Sequence, residues 1–415
     1  MTNTNKLFPC RFCGSPVIKT FADLGLSPLC ETYIAPDQLN DMEPFYPLHA
    51  LICDHCLLVQ LDEYVSPSGI FEEYAYFSSY SDSWLKHASD YSDMVVERFG
   101  LDGASFVVEL ASNDGYLLRN FVEKGIPCQG IEPAVNVAEA ATELGIDTLI
   151  KFFGQKTADE VVRSRGHANL IIGNNVLAHV PDLNDFVSGI RTLLAKDGVV
   201  TMEFPHLLRL MDDSQFDTIY HEHFSYFSYI AVDRVFRAHG MVIFDVDQLS
   251  THGGSLRIYA KHDVEAPEIT KNIRFLANQE TEAGLDKIDT YLDFQDKVNI
   301  IKRDLLEFLI VARRKGKTVV GYGAPGKGNT LLNYCGIGTD FLDYTVDRNP
   351  YKHGKYTPGS RIPILSPDRI RATKPDYLLI LPWNLRKEIV DSHSYIGEWG
   401  GQFVVPIPHL ETIAP

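Results

Sequence analysis

The chain has 415 residues, of which 45% are hydrophobic and 22% charged, and it carries a formal net charge of −17. This composition is typical of a soluble globular protein with about two to three domains. The acidic balance argues against nucleic acids and anionic membrane surfaces as partners, because polyanions would be repelled.

The chain also lacks the sequence features of export and membrane insertion. Its start, MTNTNKLFPC, has no basic stretch followed by an apolar core, which a signal peptide requires. No uninterrupted apolar run approaches the ~18–20 residues that span a bilayer. We therefore expect a cytoplasmic protein.

Two cysteine pairs stand near the start of the chain. Cys10 and Cys13 form Cys-Arg-Phe-Cys, and Cys53 and Cys56 form Cys-Asp-His-Cys. Each pair can supply two sulfurs from one tight turn, so together they predict a zinc site with four thiolate ligands. Such a site is structural, because no coordination position stays open for catalysis. Three residues nearby are alternative ligands: Cys30, His49 and His55.

Tyrosine and serine are concentrated in residues 64–91. Aromatic hydroxyl groups in this number suit the wall of a polar ligand site. The candidates are Tyr74, Tyr76 and Tyr80. A helix that packs on the next domain through its aromatic face explains the same pattern equally well.

Residues 106–133 have the pattern of a strand, a turn, a helix and a second strand. The apolar run 106–108 predicts a buried strand, residues 111–115 a turn of small residues, and residues 116–124 a helix. The second strand finishes on Glu132. In open α/β sheets such turns bind nucleotides at the carboxyl ends of the strands, where a helix N-terminus meets the ligand.

The acids of this segment indicate which ligand it binds. The turn lacks the three-glycine spacing of dinucleotide sites. Glu109 would repel phosphates but suits a ligand with a cationic amino acid end, and Glu132 can accept hydrogen bonds from both hydroxyls of a ribose. These features favour S-adenosylmethionine over NAD; an ordinary βαβ unit with a polar turn is the alternative. The predicted donor-binding residues are Glu109, Ala111, Asn113, Gly115, Tyr116 and Glu132, with Asn174 and Asn175 after the next strand.

That next strand, residues 170–172, leads to a first candidate for chemistry. It runs into Gly173, Asn174 and Asn175, and His179 follows shortly after. His179 is therefore expected just beyond the carboxyl end of a strand, on the ligand side of the sheet.

Residues 216–224 contain the densest group of candidate catalytic side chains in the chain. Two histidines, His221 and His223, flank Glu222, and Tyr220 precedes them. On an extended backbone the two histidines would lie on one side, with Tyr220 and Glu222 on the other. The one-turn histidine spacing of zinc metalloproteases is absent. Proton transfer is the better use, because histidine titrates near neutrality and a carboxylate can hold its ring in one tautomer.

A second strand, turn and helix is predicted over residues 318–330. Its glycines free backbone amides to approach a phosphate, and Lys327 supplies a point charge. The Walker spacing is missing, because Gly328 and Asn329 stand between Lys327 and Thr330. This excludes a kinase and predicts a smaller nucleotide-type fold in the C-terminal third.

Six sequence features together resemble one family. They are the two cysteine pairs, ELASNDG, NNVLAHV, DTIYHEHFSYFS, THGGSLR and GYGAPGKGNTLLNYCGI. In this combination and order they resemble the zinc-containing sugar C-methyltransferases of deoxysugar biosynthesis, of the tetronitrose C-methyltransferase type. The resemblance covers essentially the whole chain.

The resemblance implies an activity and residue roles. The substrate would be a nucleotide-linked 4-keto-6-deoxyhexose, methylated at carbon 3 through an enolate. His223 would be the base, Tyr220 and Glu222 would orient the ring or the sugar, and His179 would stabilise or protonate the C4 oxygen. Tyr76 matches another active-site position. The substrate-binding candidates are Tyr80 and, for the nucleotide diphosphate, Lys327 and Asn329.

The expected fold is α/β, with a small zinc-binding domain, a central Rossmann-like class I methyltransferase domain and a second Rossmann-like domain. The expected bounds are residues 1–68, 69–260, a helical connector 261–315, and 316–415. We expect a small-molecule substrate, no nucleic acid or membrane partner, and a monomer or weak homo-oligomer. Two alternatives stay open: an O- or N-methyltransferase on a sugar, and a non-catalytic zinc-containing sensor of nucleotide sugars or S-adenosylmethionine.

Overall fold

A computed structural model describes residues 8–66, 78–80, 82–265 and 268–415. The chain divides into two units, each built from three segments. The first unit consists of Met1–Val17, Cys53–Leu207 and Glu222–Asp286, and the second of Ile18–Ile52, Leu208–His221 and Lys287–Pro415. The four consecutive domain bounds expected from the sequence stay a prediction.

A seven-stranded sheet forms the centre of the first unit. In spatial order its strands are Met241–Leu249, Ser255–His262, Leu194–Pro205, Ala168–Asn174, Val107–Leu110, Cys128–Ile131 and Thr148–Leu149. The last five are parallel, and the first two are antiparallel to their neighbours. The chain leaves Val107–Leu110 to one side and later returns on the other, so this strand marks the switch point at which open α/β sheets bind ligands.

Helices and shorter strands complete the first unit. The helices are Asp82–Phe99, Leu118–Glu123, Val135–Glu143, Gln155–Arg165, Leu183–Leu193, Tyr229–Ala238 and Lys271–Glu282. Two antiparallel pairs are Phe8–Pro9 with Pro16–Val17, and Val59–Gln60 with Ser225–Tyr226. Tyr91, Leu117, Phe121 and Leu170 belong to one buried core, which holds the Asp82–Phe99 helix and the nucleotide-type turn on the same sheet.

The second unit has its own six-stranded sheet. The order is Ile364–Leu365, Thr345–Val346, Val319–Tyr322, Tyr377–Ile380, Gln402–Val405 and Glu411–Ile413, and only the last strand is antiparallel. Its helices are Ile288–Leu292, Phe294–Arg314, Gly326–Cys335, Asp368–Thr373 and Arg386–His393. The hairpin Lys19–Ser27 and Tyr46–Ile52 belongs to this unit. The helix Leu207–Asp212 lies where the chain passes from the first unit to the second.

Both predicted strand–turn–helix segments therefore exist, each inside a mainly parallel sheet. None of the helices in the described part of the chain is both long and apolar enough to cross a membrane.

Candidate functional site

The four predicted zinc ligands come together in the first unit. Sγ of Cys10 lies 3.5 Å from Sγ of Cys56, and Sγ of Cys13 lies 3.6 Å from Sγ of Cys53. All four sulfurs lie within 4.8 Å of one another. A tetrahedral zinc site with Zn–S bonds of ~2.3 Å has sulfurs ~3.8 Å apart, so the cluster fits zinc. None of the alternative ligands considered from the sequence is part of it.

The turn after Val107–Leu110 has an unusual backbone. Ala111, Asn113 and Gly115 all have positive φ, at 53°, 50° and 77°. A Cβ atom on Gly115 would lie 2.2 Å from Cδ1 of the buried Ile146, so any other residue would have to displace that side chain and also adopt a positive φ. This strained, closely packed turn is typical of a backbone that approaches a ligand.

Glu132 ties this turn to the end of the second strand. The backbone N–H of Asn113 donates to Oε2 of Glu132 (2.9 Å), and the N–H of Ala134 donates to Oε1 (2.9 Å). Both carboxylate oxygens keep lone pairs for further donors, such as the hydroxyls of a ribose. The carboxylate is thus oriented before a ligand arrives.

Three buried acids surround the turn. Glu109, Asp114 and Glu132 are each 5% exposed or less. Burial raises the pKa of Glu109 well above its usual range, and the charges of Glu132 and Asp114 raise it further. Oε2 of Glu109 and Oδ1 of Asp114 are buried and accept no hydrogen bond from the described residues. A cationic ligand with N–H donors would favour the charged form of Glu109 and would donate hydrogen bonds to the two unpaired oxygens. S-adenosylmethionine fits, because its ammonium group supplies N–H donors and its sulfonium group a second positive charge.

The asparagines at the end of the strand Ala168–Asn174 also have buried polar atoms without a partner among the described residues. Both amide atoms of Asn174 are buried with no partner among the described residues, and so is Oδ1 of Asn175. Asn175 has φ of 55°, and its amide donates to Nε2 of His252 (3.1 Å). Buried polar atoms are almost always hydrogen-bonded in native proteins, so these atoms indicate a polar ligand at this edge of the sheet.

His179 and His223 meet in the first unit. Their ring centroids are 4.7 Å apart at an interplanar angle of 75°, and the N–H of Phe224 donates to the carbonyl of Ala178 (2.7 Å). His223 is 9% exposed, and the ring of Tyr226 lies 6.1 Å from it. Burial lowers the pKa of His179 to about 4, while a hydrogen bond to the backbone of Glu222 acts in the opposite direction. His179 is therefore uncharged at neutral pH.

The expectation of an extended backbone through the His-Glu-His run is wrong. Residues 221 and 222 form a turn, so the side chains do not alternate about a straight strand. His221 instead donates from Nε2 to the carbonyl of Pro47 (3.1 Å), and its ring packs edge-on against Tyr46. Glu222 is 6% exposed, and Tyr220 is half-buried in the second unit.

The remaining predicted residues are placed as follows. Nζ of Lys327 lies over the ring of Trp383 at 4.7 Å and donates to Oδ1 of Asn384 (3.0 Å). Asn329 is 1% exposed and donates to the carbonyl of Cys30 (2.6 Å). Tyr74 and Tyr76 lie outside the described residues, as does the side chain of Tyr80.

Several residues next to these sites were not singled out from the sequence. They are Trp84, His87, Glu203, Tyr226 and His252. Trp84 and His87 stand in the tyrosine-rich segment, and His252 stands in the polar glycine turn of THGGSLR, so the segments were visible but their contacts were not.

Three family models match consecutive parts of the chain. Residues 10–71 match "Putative zinc binding domain", residues 84–246 match "Methyltransferase domain", and residues 250–408 match "C-methyltransferase C-terminal domain". These matches confirm the predicted order of a zinc-binding, a methyltransferase and a C-terminal domain in an α/β fold.

A relative matches almost the whole chain. It is C-methyltransferase NovU of Streptomyces niveus, which is 35% identical over 405 residues, or 98% of this chain and 96% of the relative.

Solved structures give weaker likenesses. An S-adenosylmethionine-dependent methyltransferase from Clostridium acetobutylicum is 12% identical, covers 43% of this chain and 92% of its own, and has a TM-score of 0.34. Magnesium protoporphyrin IX methyltransferase from Synechocystis with bound SAM is 14% identical, covers 43% and 81%, and scores 0.32. Scores this low carry no weight for fold or activity.

Proposed function

Because this chain belongs to the zinc-containing, S-adenosylmethionine-dependent C-methyltransferases, we propose that it methylates carbon 3 of a nucleotide-linked 4-keto-6-deoxy sugar. The contact of His223 with His179 (4.7 Å between ring centroids) carries the proposal. It places two imidazoles together, just beyond the strand whose end supplies Asn174 and Asn175. Removal of a proton next to a ketone requires a base and a partner for the oxygen, and this pair can supply both.

The turn and the buried acids would hold the donor. Glu132 would accept hydrogen bonds from the ribose hydroxyls, and Glu109 and Asp114 would bind the cationic methionine end. When bound, S-adenosylmethionine supplies an electrophilic methyl group. The buried asparagine amides, Asn174 and Asn175, offer hydrogen bonds that orient it.

The proton is moved by the histidines. A ring nitrogen of His223 takes the proton from carbon 3. The electron pair of that C–H bond forms a double bond between carbons 3 and 4, and the π electrons of the ketone move onto the C4 oxygen, which gives an enolate. His179 is uncharged because its pKa is about 4, so its ring has a single N–H; turned from the backbone of Glu222 to that oxygen, it stabilises the enolate through a hydrogen bond. Stabilisation of this kind is worth ~3–4 kcal/mol of barrier. Glu222 and Tyr220 are proposed to orient the ring or the sugar, and Tyr76 stays a candidate for another active-site position.

The zinc site supports the fold rather than the chemistry. Its four thiolates would fill the tetrahedral shell of a zinc ion, which would leave no position for a substrate or water. Tyr80 stays a candidate for binding the substrate, and Lys327 and Asn329 stay candidates for binding its nucleotide diphosphate. A monomeric or weakly oligomeric state and a cytoplasmic location belong to the same proposal.

Exchange at carbon 3 tests the proposed function. The protein is incubated in deuterium oxide with an NDP-4-ketosugar, and both exchange and methyl transfer from labelled donor are followed by mass spectrometry. We expect deuterium at carbon 3 and a methyl group on the same carbon. His223→Ala should lose at least about 1,000-fold in both, as expected for a general base that also aligns the substrate.

His221→Gln is the matched control, because His221 belongs to the same His-Glu-His run and contacts Pro47 and Tyr46. Equal loss in both variants would remove His223 from the base role. Methyl transfer to oxygen or nitrogen without exchange would favour the O- or N-methyltransferase. Tight binding without turnover would favour the sensor.

A further inference from the structure

Two residues outside the predicted site join its two halves. The ring of Trp84 stacks on Tyr116, with centroids 6.1 Å apart at 28°, and meets His252 edge-on at 5.2 Å. His252 in turn accepts a hydrogen bond at Nε2 from the amide of Asn175 (3.1 Å). A continuous chain of contacts therefore runs Tyr116, Trp84, His252, Asn175, all within the first unit. Its ends are predicted donor-binding residues that follow two different strands.

The turn that carries His252 is held in a strained shape. His252 has φ of 54° and ψ of 20°, a left-handed conformation that costs free energy in a residue with a Cβ atom. Next to it, Oγ1 of Thr251 donates to Oε1 of Glu203 (3.0 Å), and the N–H of Gly254 donates to the carbonyl of Thr251 (2.9 Å). Strain that the surrounding structure maintains is typical of functional sites.

Trp84 is linked to the same carboxylate through His87. His87 stacks on Trp84 with centroids 4.8 Å apart and hydrogen-bonds Oε2 of Glu203 (3.0 Å). Arg257 also donates to that oxygen (2.8 Å), and Glu203 is fully buried. Trp84 is thus linked to Glu203 through His87, and His252 through its neighbour Thr251, and an ion pair with Arg257 holds Glu203 in the sheet.

We propose that Trp84 and His252 are positioning residues that hold Tyr116 and Asn175 in the geometry that binds the methyl donor. The inference rests on the proposed function, which puts the donor at this edge of the sheet. Side chains that are ordered before a ligand arrives lose less entropy on binding, so the two residues raise affinity without touching the ligand. Donor binding should depend on them, and sugar binding should not.

Two pairs of variants separate the side chains from the backbone. His252→Gly keeps the left-handed backbone accessible but removes the ring, whereas His252→Asn tolerates that backbone and retains an acceptor for the Asn175 amide. Trp84→Leu removes the aromatic contact with Tyr116, and Trp84→Phe retains an aromatic ring. Calorimetry of the full chain with S-adenosylmethionine and with S-adenosylhomocysteine, without sugar, gives the affinities.

The glycine and leucine variants should bind donor about 5–10-fold more weakly, and the asparagine and phenylalanine variants should stay within about threefold of the wild type. The KM of the donor should rise by the same factor while the KM of the sugar stays unchanged. Unchanged donor affinity in both His252→Gly and Trp84→Leu would overturn the inference, and so would equal changes in both KM values.

Failure of the proposed function can be distinguished from failure of this inference. A wild type that binds donor but shows no exchange at carbon 3 contradicts the proposed function and leaves the role in donor binding intact. A wild type without donor affinity overturns both. If Trp84→Leu does not fold, as judged by urea unfolding, the two His252 variants decide the result.

Discussion

At the scale of single residues, buried polar atoms without a hydrogen-bond partner mark the proposed donor site. Glu109, Asp114 and Asn174 keep polar atoms inside the protein without a partner among the described residues. Such atoms cost free energy in the absence of a ligand. A bound cation would lower the pKa of Glu109 from its raised value, because it favours the charged carboxylate.

We therefore expect donor binding to release up to about one proton, and the affinity for S-adenosylmethionine to rise with pH as Glu109 ionises. Calorimetry in two buffers with different ionisation enthalpies measures the released proton. Glu109→Gln should bind without that release, since its amide cannot ionise. Glu139→Gln, at an exposed position of the Val135–Glu143 helix, is the control. Undiminished proton release in Glu109→Gln would assign the proton to another group.

His179 gives a second prediction at this scale. With a pKa of about 4, its protonated form is present only in acid, so it adds no inflection to the rate between about pH 5.5 and about pH 8. The profiles of log kcat/KM against pH for the wild type and His179→Gln should run parallel in that range, the variant about 100-fold lower. An inflection near neutrality that disappears in His179→Gln would show that His179 itself exchanges a proton during turnover.

At the scale of elements, the glycine turn combines two separate demands. Gly115 and Gly125 both have positive φ, at 77° and 68°, and stand before and after the Leu118–Glu123 helix. A Cβ atom would collide with Ile146 at Gly115 but would meet nothing within 4 Å at Gly125. The two positions therefore separate backbone strain from loss of space.

Gly125→Ala should lower the free energy of unfolding by about 1 kcal/mol, the cost of a left-handed alanine. Gly115→Ala should cost about 3 kcal/mol or more, because the collision adds to that strain, and donor affinity should fall with it. Urea unfolding and donor calorimetry measure both variants. Equal losses of stability would mean that Ile146 moves aside freely and that the turn is not closely packed.

At the scale of the whole molecule, the cysteine cluster joins distant parts of the sequence. Cys10 and Cys13 precede residues 18–52, which belong to the second unit, and Cys53 and Cys56 follow them. Zinc binding requires a folded site, so its free energy adds to the stability of the first unit.

Removal of zinc by a chelator should therefore lower the unfolding temperature of the wild type by at least about 10 °C, and Cys56→Ser should start from the lower value and respond no further. Cys128→Ala, which removes a buried thiol away from the cluster, should keep the full response to the chelator. Differential scanning calorimetry with metal analysis tests this. A wild type that holds zinc yet unfolds at the same temperature after its removal would contradict a structural role.

The sequence by itself determined those features whose physical cause is local. The spacing within each cysteine pair indicated a metal site, and the apolar run, small-residue turn and acid-ended strand of residues 106–133 indicated a ligand-binding βαβ unit, because a few neighbouring residues dictate each pattern. Only the tertiary structure decided which side chains meet. It turned the chain at residues 221–222, it brought His223 to His179 and His221 to Pro47 and Tyr46, and it brought Trp84 and His252 between Tyr116 and Asn175. Such contacts join residues dozens of positions apart through packing on a common sheet, and the periodicity of no single segment contains that information.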